Sequence, residues 1–205
     1  MITQSGVHIQ TIGGEAGTPT AMDIAVHFGR ICRFGGAVWY PLLPHSIFVG
    51  LMAYQRSGEL MNLVWGFLHD AHEAVTADVP MPFKCDCLRR EQIALDNRII
   101  NKFIGHRITR ADFDLIKQCD KDACDIEAVA FGIPNYAHIA IAQRGAIYNN
   151  EQDRELLTRI LNSGFYHNTI QPFSYGVTQF ATVLGFAERC DWDLIIPAVS
   201  SWKLS

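Results

Sequence analysis

The segment from Thr109 to Pro134 carries the strongest constraint on the fold. Thr109 followed by Asp112 forms a capping-box pattern, with Asp in the place usually taken by Glu or Gln. Phe113, Ile116, Cys119, Ala123, Ile126 and Ala130 then recur at helical spacing, which turns them inward along one face of an α-helix. Gly132-Ile133-Pro134 stops it. Asp120 lies beside this stripe, whereas Asp114, Asp122 and Asp125 read more easily as solvated acids.

The rest of the chain repeats the same grammar of apolar period and Gly or Pro punctuation. Thr20 caps a predicted helix running to about Cys32, stopped by Gly35-Gly36. A second helix is expected from near Pro44 to about Arg56, with His45 in its first turn and Phe48, Leu51 and Met52 facing the core. Ser57-Gly58 separates it from a third, read from Glu59 to about Val75. Pro80 and Pro82 force an irregular connection. Further helices are expected over 87–104, 150–163 and 174–189. A short surface strand or hairpin fits 7–12. The tail from Trp192 is apolar without a helical period, and so is expected to pack over the body or form a subunit contact. The reading is all-α, one domain over residues 1–205.

Composition narrows the function classes. A chain of 205 residues is long enough for one sizeable core. A formal net charge of −4 argues against a stable nucleic-acid complex, which draws on a basic surplus. A small anionic ligand needs only a local pocket of Arg and Lys. The six cysteines include no Cys-x-x-Cys pair, which disfavours a structural zinc site. The start, Met-Ile-Thr-Gln-Ser-Gly, has no basic region followed by an apolar one, and no run approaches the ~20 apolar residues of a membrane span. A cytoplasmic protein with reduced thiols is expected.

Chemistry concentrates in Gly66 to Lys84. His69 and Asp70 are adjacent, and on a helix Glu73 shares a face with both. An imidazole and two carboxylates beside the apolar run Leu63-Val64-Trp65 are costly to bury unpartnered, and a divalent cation is an effective partner. A transition-metal site collects such ligands from several elements. The candidates are His45, the His69-Asp70 pair and one carboxylate of the 109–132 helix.

These residues resemble the HD superfamily of metal-dependent phosphohydrolases, whose pattern is a His, a His-Asp doublet and a distant Asp. Bacterial HD-domain 5′-deoxynucleotidases carry a segment like His-Asp-Ala-Ser-Glu-Val-Leu-Thr-Gly-Asp-Leu-Pro-Thr-Pro-Val-Lys. Here the chain reads from His69-Asp70-Ala71-His72-Glu73 through Asp78 to Pro82-Phe83-Lys84. The family's Val-Lys-Gln-Ala-Asp is similar to Ile116-Lys117-Gln118-Cys119-Asp120, which selects Asp120 among its acidic neighbours. Upstream, Asp23-Ile24-Ala25, Cys32 to Gly36 and Pro44-His45-Ser46 resemble phage-borne and bacterial members. The likeness covers roughly residues 5 to 130.

The resemblance implies an HD-type helical bundle in which His45, His69, Asp70 and Asp120 hold one divalent cation, Co²⁺, Mn²⁺, Zn²⁺ or Mg²⁺. It makes Glu73 and Asp78 the acid/base pair and Arg33, Lys84 and Lys117 the phosphate partners, with Asp78 read alternatively as a cap of the Pro-rich loop and Lys117 as a surface lysine. Phe34 stands where the deoxynucleotidases carry Trp, a position that would stack on sugar or base. Trp39 and Tyr40 read either as walls of a base pocket or as core aromatics. His72 occupies a position where the family often has a small residue; it reads as structural, and it leaves open a second metal or an altered phosphate contact. The implied activity is a dNTP triphosphohydrolase of the dATP-consuming kind, with a purine favoured. Such a protein would act in the host cytoplasm if phage-encoded, and members of this branch commonly form homo-oligomers. The alternatives are a 5′-deoxynucleotidase acting on a dNMP and a non-catalytic nucleotide-binding regulatory module.

Overall fold

The computed structural model describes residues 6, 17–79, 83–105, 108–133, 150–167, 174–202 and 204. Among these residues the protein is all-α, with no strand beyond an isolated antiparallel bridge between Cys32 and Pro41. The expected N-terminal hairpin lies outside the described residues.

Helix α1, Ala21–Phe28, begins as read: Thr20 accepts from the Asp23 amide at 3.1 Å while Asp23 accepts from the Thr20 amide at 3.0 Å. It stops at Gly29, short of Cys32. A 3₁₀ turn at Phe34–Gly36 follows. The bridge then closes the loop, with the Arg33 amide bonded to the Tyr40 carbonyl at 2.9 Å and the Leu42 amide to the Ile31 carbonyl at 2.8 Å. That closure sets Arg33 and Tyr40 side by side.

Helices α2 (Leu42–Ser57) and α3 (Leu60–Leu68) form a tightly packed hairpin. Gly58, at φ 73°, makes the left-handed turn between them, a conformation that costs glycine little. A Cβ at Gly66 would collide with the backbone of Gly50, so both positions must stay bare for the helices to touch. This close approach sets His45, on α2, opposite the end of α3.

One expectation fails here. The third helix does not run on to Val75: it ends at Leu68, and a separate turn, α4 (Glu73–Thr76), follows. Between them the amides of Ala71 and Glu73 bond three residues back, to Leu68 and Asp70, at 2.9 and 2.8 Å. Tight i→i+3 winding replaces the α-helical ladder, and apolar spacing alone does not reveal such a change.

Helices α5 (Asp86–Phe103) and α6 (Arg110–Ala130) match their predicted spans, and both arms of the Thr109–Asp112 box are present. Phe113 and Ala130, read as inward, are exposed. Asp122 and Asp125, read as solvated, are buried. Asp122 is held by Arg56 of α2 at 2.7 Å. Helices α7 (Glu151–Leu161) and α8 (Tyr175–Glu188) close the body. The tail does hold a helix, α9 (Ile195–Ser200), and it packs over the core as expected: Trp202 stacks on Phe67 at 5.7 Å and meets Phe165 at 4.5 Å. No described helix is long and apolar enough to cross a membrane.

Candidate metal centre

Four side chains from three places in the chain converge. His45 comes from the first turns of α2, His69 and Asp70 from the end of α3, and Asp120 from α6. One ligand atom from each lies within 4.8 Å of every other. His45 Nε2 is 3.3 Å from both His69 Nε2 and Asp120 Oδ1; His69 Nε2 is 3.1 Å from Asp70 Oδ2 and 3.6 Å from Asp120 Oδ1.

The protons of the two rings are directed elsewhere. A carbonyl can only accept, so His69 Nδ1 donates to Gly66 O at 2.7 Å. His45 Nδ1 lies 2.8 Å from Glu127 Oε1 and donates to that carboxylate. In the neutral rings both Nε2 atoms therefore carry lone pairs, and they face each other and two carboxylates. Four acceptors crowded together without a donor need a proton or a cation between them. In the metal-free protein a proton takes that place. Burial works against an imidazolium at His69, but Asp70 and Asp120 more than offset it and hold the ring well above its usual range. Asp70 and Asp120 move the opposite way: burial pushes them up, and the imidazoles outweigh it and hold both far below the usual carboxylate range. Two imidazoles and two carboxylates form the donor set that a divalent transition metal prefers, so the residues fit a cation.

Glu127 was not anticipated from the sequence. It is fully buried and accepts from the Tyr40 hydroxyl at 2.7 Å as well as from His45. Arg33 Nε lies 3.3 Å from its other oxygen, an ion pair without hydrogen-bond alignment. A carboxylate on the far nitrogen of a ligating His fixes the tautomer and raises ligand basicity. The signal was available: Glu127 follows Asp120 by seven residues, two turns along the same face of α6.

The other expected site residues fall into three groups. Glu73, Asp78 and Lys84 are brought together next to Asp70. Burial, then the carboxylates of Asp70 and Asp78, push the Glu73 carboxyl up to about 9. Lys84 Nζ stands 3.9 Å from Glu73, too far for a direct hydrogen bond. Arg33 turns its guanidinium to Glu127 and to Asp70, 3.9 Å away, so it serves the ligands themselves. Phe34 and Trp39 lie away from the cleft described next, Phe34 packed on the core and Trp39 exposed. Tyr40 is a core residue.

A cleft of about 490 Å³ opens on the centre, bounded by α3, α5 and α6. His69, Asp70 and Asp120 line it, together with apolar Trp65, Ile93 and Phe113 and the cations Arg110 and Lys117. Ile93 and Phe113 are 60% and 45% exposed because they face this opening, not the core. Of the predicted phosphate partners, Lys117 is the one that lines it. Neither models of known protein families nor curated proteins match the chain.

Proposed function

We propose that the protein is an HD-type metal-dependent phosphohydrolase of deoxynucleotides, most specifically a dNTP triphosphohydrolase that acts on dATP. The observation that carries this reading is a four-ligand centre opening directly onto a cleft that holds apolar rings and two cations. The likeness of His45, His69-Asp70, Asp120 and the 69–84 segment to the HD pattern supports the same chemistry.

When bound by His45, His69, Asp70 and Asp120, the cation supplies positive charge to the phosphoryl oxygens. The chain's own residues supply the rest. Glu73 and Asp78 divide proton transfer, one orienting the attacking water and the other protonating the leaving oxygen. Lys117 and Arg110 balance phosphate charge at the cleft, and Lys84 does so beside Glu73. Trp65 and Phe113, with ring centroids 6.0 Å apart, offer an apolar wall suited to a nucleobase.

Protein loaded with Mn²⁺, Co²⁺ or Zn²⁺ should convert dATP to deoxyadenosine and triphosphate, followed by separation of the products. Hydrolysis of dAMP alone moves the assignment to a 5′-deoxynucleotidase. Tight nucleotide binding without turnover selects a regulatory module. Asp120→Ala should lose both metal and activity, and full metal content in that variant would defeat the ligand assignment.

A further inference from the structure

Asp70 belongs to two groups of metal-binding atoms. Besides the four-residue centre, carboxylate oxygens of Asp70 and Glu73 and a ring nitrogen of His72 lie within 4.8 Å of one another. This is about the span of donors around one divalent ion with bonds of about 2.1 Å. In a regular helix residues two apart do not share a face, so Asp70 and His72 would point apart. The break in winding after Leu68 is what draws them together.

His72 is built like His45. Its Nδ1 lies 3.0 Å from Asp96 Oδ1 of α5, which holds the ring proton on that side. Its Nε2 is left with a lone pair, buried and without a hydrogen-bond partner, in a residue only 8% exposed. A buried acceptor left unsatisfied is costly to the fold. Carboxylate support on one ring nitrogen and an open lone pair on the other is the arrangement of a ligating histidine. The surrounding charge also favours a cation. Asp70, Glu73, Asp78 and Asp96 are met by His69, 3.1 Å from Asp70, by His72 itself, 3.0 Å from Asp96, and by Lys84 and Arg33, which come no closer than 3.9 Å to Glu73 and Asp70.

We propose that Asp70, His72 and Glu73 form a second divalent-cation site, joined to the first through Asp70, so that the chain holds a pair of cations; with this site filled, Glu73 is a ligand and proton transfer falls to Asp78. The inference rests on the metal reading of the first centre and not on the identity of the nucleotide. A carboxylate-linked pair suits a substrate with more than one phosphate, whose charge a single cation leaves largely unbalanced. Mixed imidazole and carboxylate donors select Mn²⁺, Co²⁺ or Zn²⁺ over purely oxygen-seeking ions.

Titrating the metal-stripped full chain with Mn²⁺, by calorimetry and electron paramagnetic resonance, tests it. Two Mn²⁺ per chain and a spin-coupled signal are expected. His72→Gln should bind one Mn²⁺ and lose the coupling, with its circular dichroism unchanged. Asp96→Asn should retain both sites and weaken the second by about 10–100-fold. Saturation of the unaltered protein at one Mn²⁺, or two coupled ions surviving in His72→Gln, overturns the proposal. Should His72→Gln not fold, unchanged second-site affinity in Asp96→Asn overturns it equally. The two readings fail separately. Two coupled Mn²⁺ without hydrolysis of any deoxynucleotide defeats the proposed function alone, and hydrolysis with one Mn²⁺ defeats this inference alone.

Discussion

Helices α2 and α6 are joined by two ionic clusters built on opposite logic. Near the end of α2, Arg56 reaches Asp122 at 2.7 Å and Asp153 of α7 at 3.0 Å. Gln118 and Asn150 add donors to the same carboxylates at 2.6 and 2.7 Å. Both carboxylates there meet donors, Asp122 through each of its oxygens. Near the start of α2, His45 faces Asp120, only two positions from Asp122, but the ring protons of His45 and His69 are spent on Glu127 and Gly66. One cluster is complete and serves as scaffold. The other closes only by sharing a proton on its imidazoles, in a place that a cation could take.

The largest expected effect separates the two. Arg56→Met leaves Asp122 and Asp153, both almost fully buried, without their cation, and removing one partner of such a network costs about 3–5 kcal/mol. Urea unfolding should register that loss while metal content per folded chain stays unchanged. Asp120→Ala should give the converse balance, with metal gone and a smaller loss of stability in the stripped protein, from its contacts with His45 and His69. If Arg56→Met lost metal as fully as Asp120→Ala, the division between scaffold and site would collapse.

The sequence revealed the site better than it revealed the scaffold. Helix spans other than that of α3 followed from apolar period and caps, and the four converging residues from a motif. Asp122 and Asp125 read as solvated because nothing local says that Arg56, 66 residues before Asp122, comes to meet it. Ion-pair partners so distant in sequence leave no periodic trace. Phe113 and Ile93 have the spacing of core residues, yet they line the cleft. A spacing argument detects the apolar face and cannot tell a packed neighbour from an opening. The break after Leu68 was invisible for another reason: α and i→i+3 winding differ by little over four residues, although that difference brings His72 beside Asp70.

A smaller effect probes how completely the site depends on its support. Glu127 touches no proposed substrate position, but it holds the His45 tautomer and meets Tyr40 and Arg33. Glu127→Gln keeps the volume and removes the charge. Metal affinity should fall by about 10–100-fold, equivalent to about 1.4–2.7 kcal/mol. Calorimetric titration with Mn²⁺ measures it. Tyr40→Phe removes one of the donors to Glu127 and should cost less. Unchanged affinity in Glu127→Gln would move this carboxylate to the scaffold side of the comparison.

The smallest change per step of the variable reads the charge balance at the site through pH. In the metal-free protein the Glu73 carboxyl is pushed up to about 9 from an ordinary 4.5, by burial first and then by Asp70 and Asp78. Between those two values the folded chain keeps a proton that the unfolded chain has released. Stability contributed at this position therefore falls as pH rises, by at most about 1.4 kcal/mol per pH unit. Asp70 and Asp120 have the opposite sign, since their depressed pKa values stabilise the fold above the ordinary carboxylate range and are lost only in acid. From neutral to mildly alkaline pH the Glu73 contribution stands free of theirs, but it shares its sign with His69, whose ring is also held well above its ordinary range. Glu73→Gln should reduce the pH slope of the stripped protein there to the part that His69 contributes, so that the variant exceeds the unaltered chain in stability at pH 8. Saturating Mn²⁺ should flatten the slope of the unaltered chain in the same way, because a cation beside Glu73 replaces the proton. Arg56→Met should leave that slope intact, since its network already balances its own charges. A slope that survives both Glu73→Gln and added metal would place the missing positive charge elsewhere in the molecule.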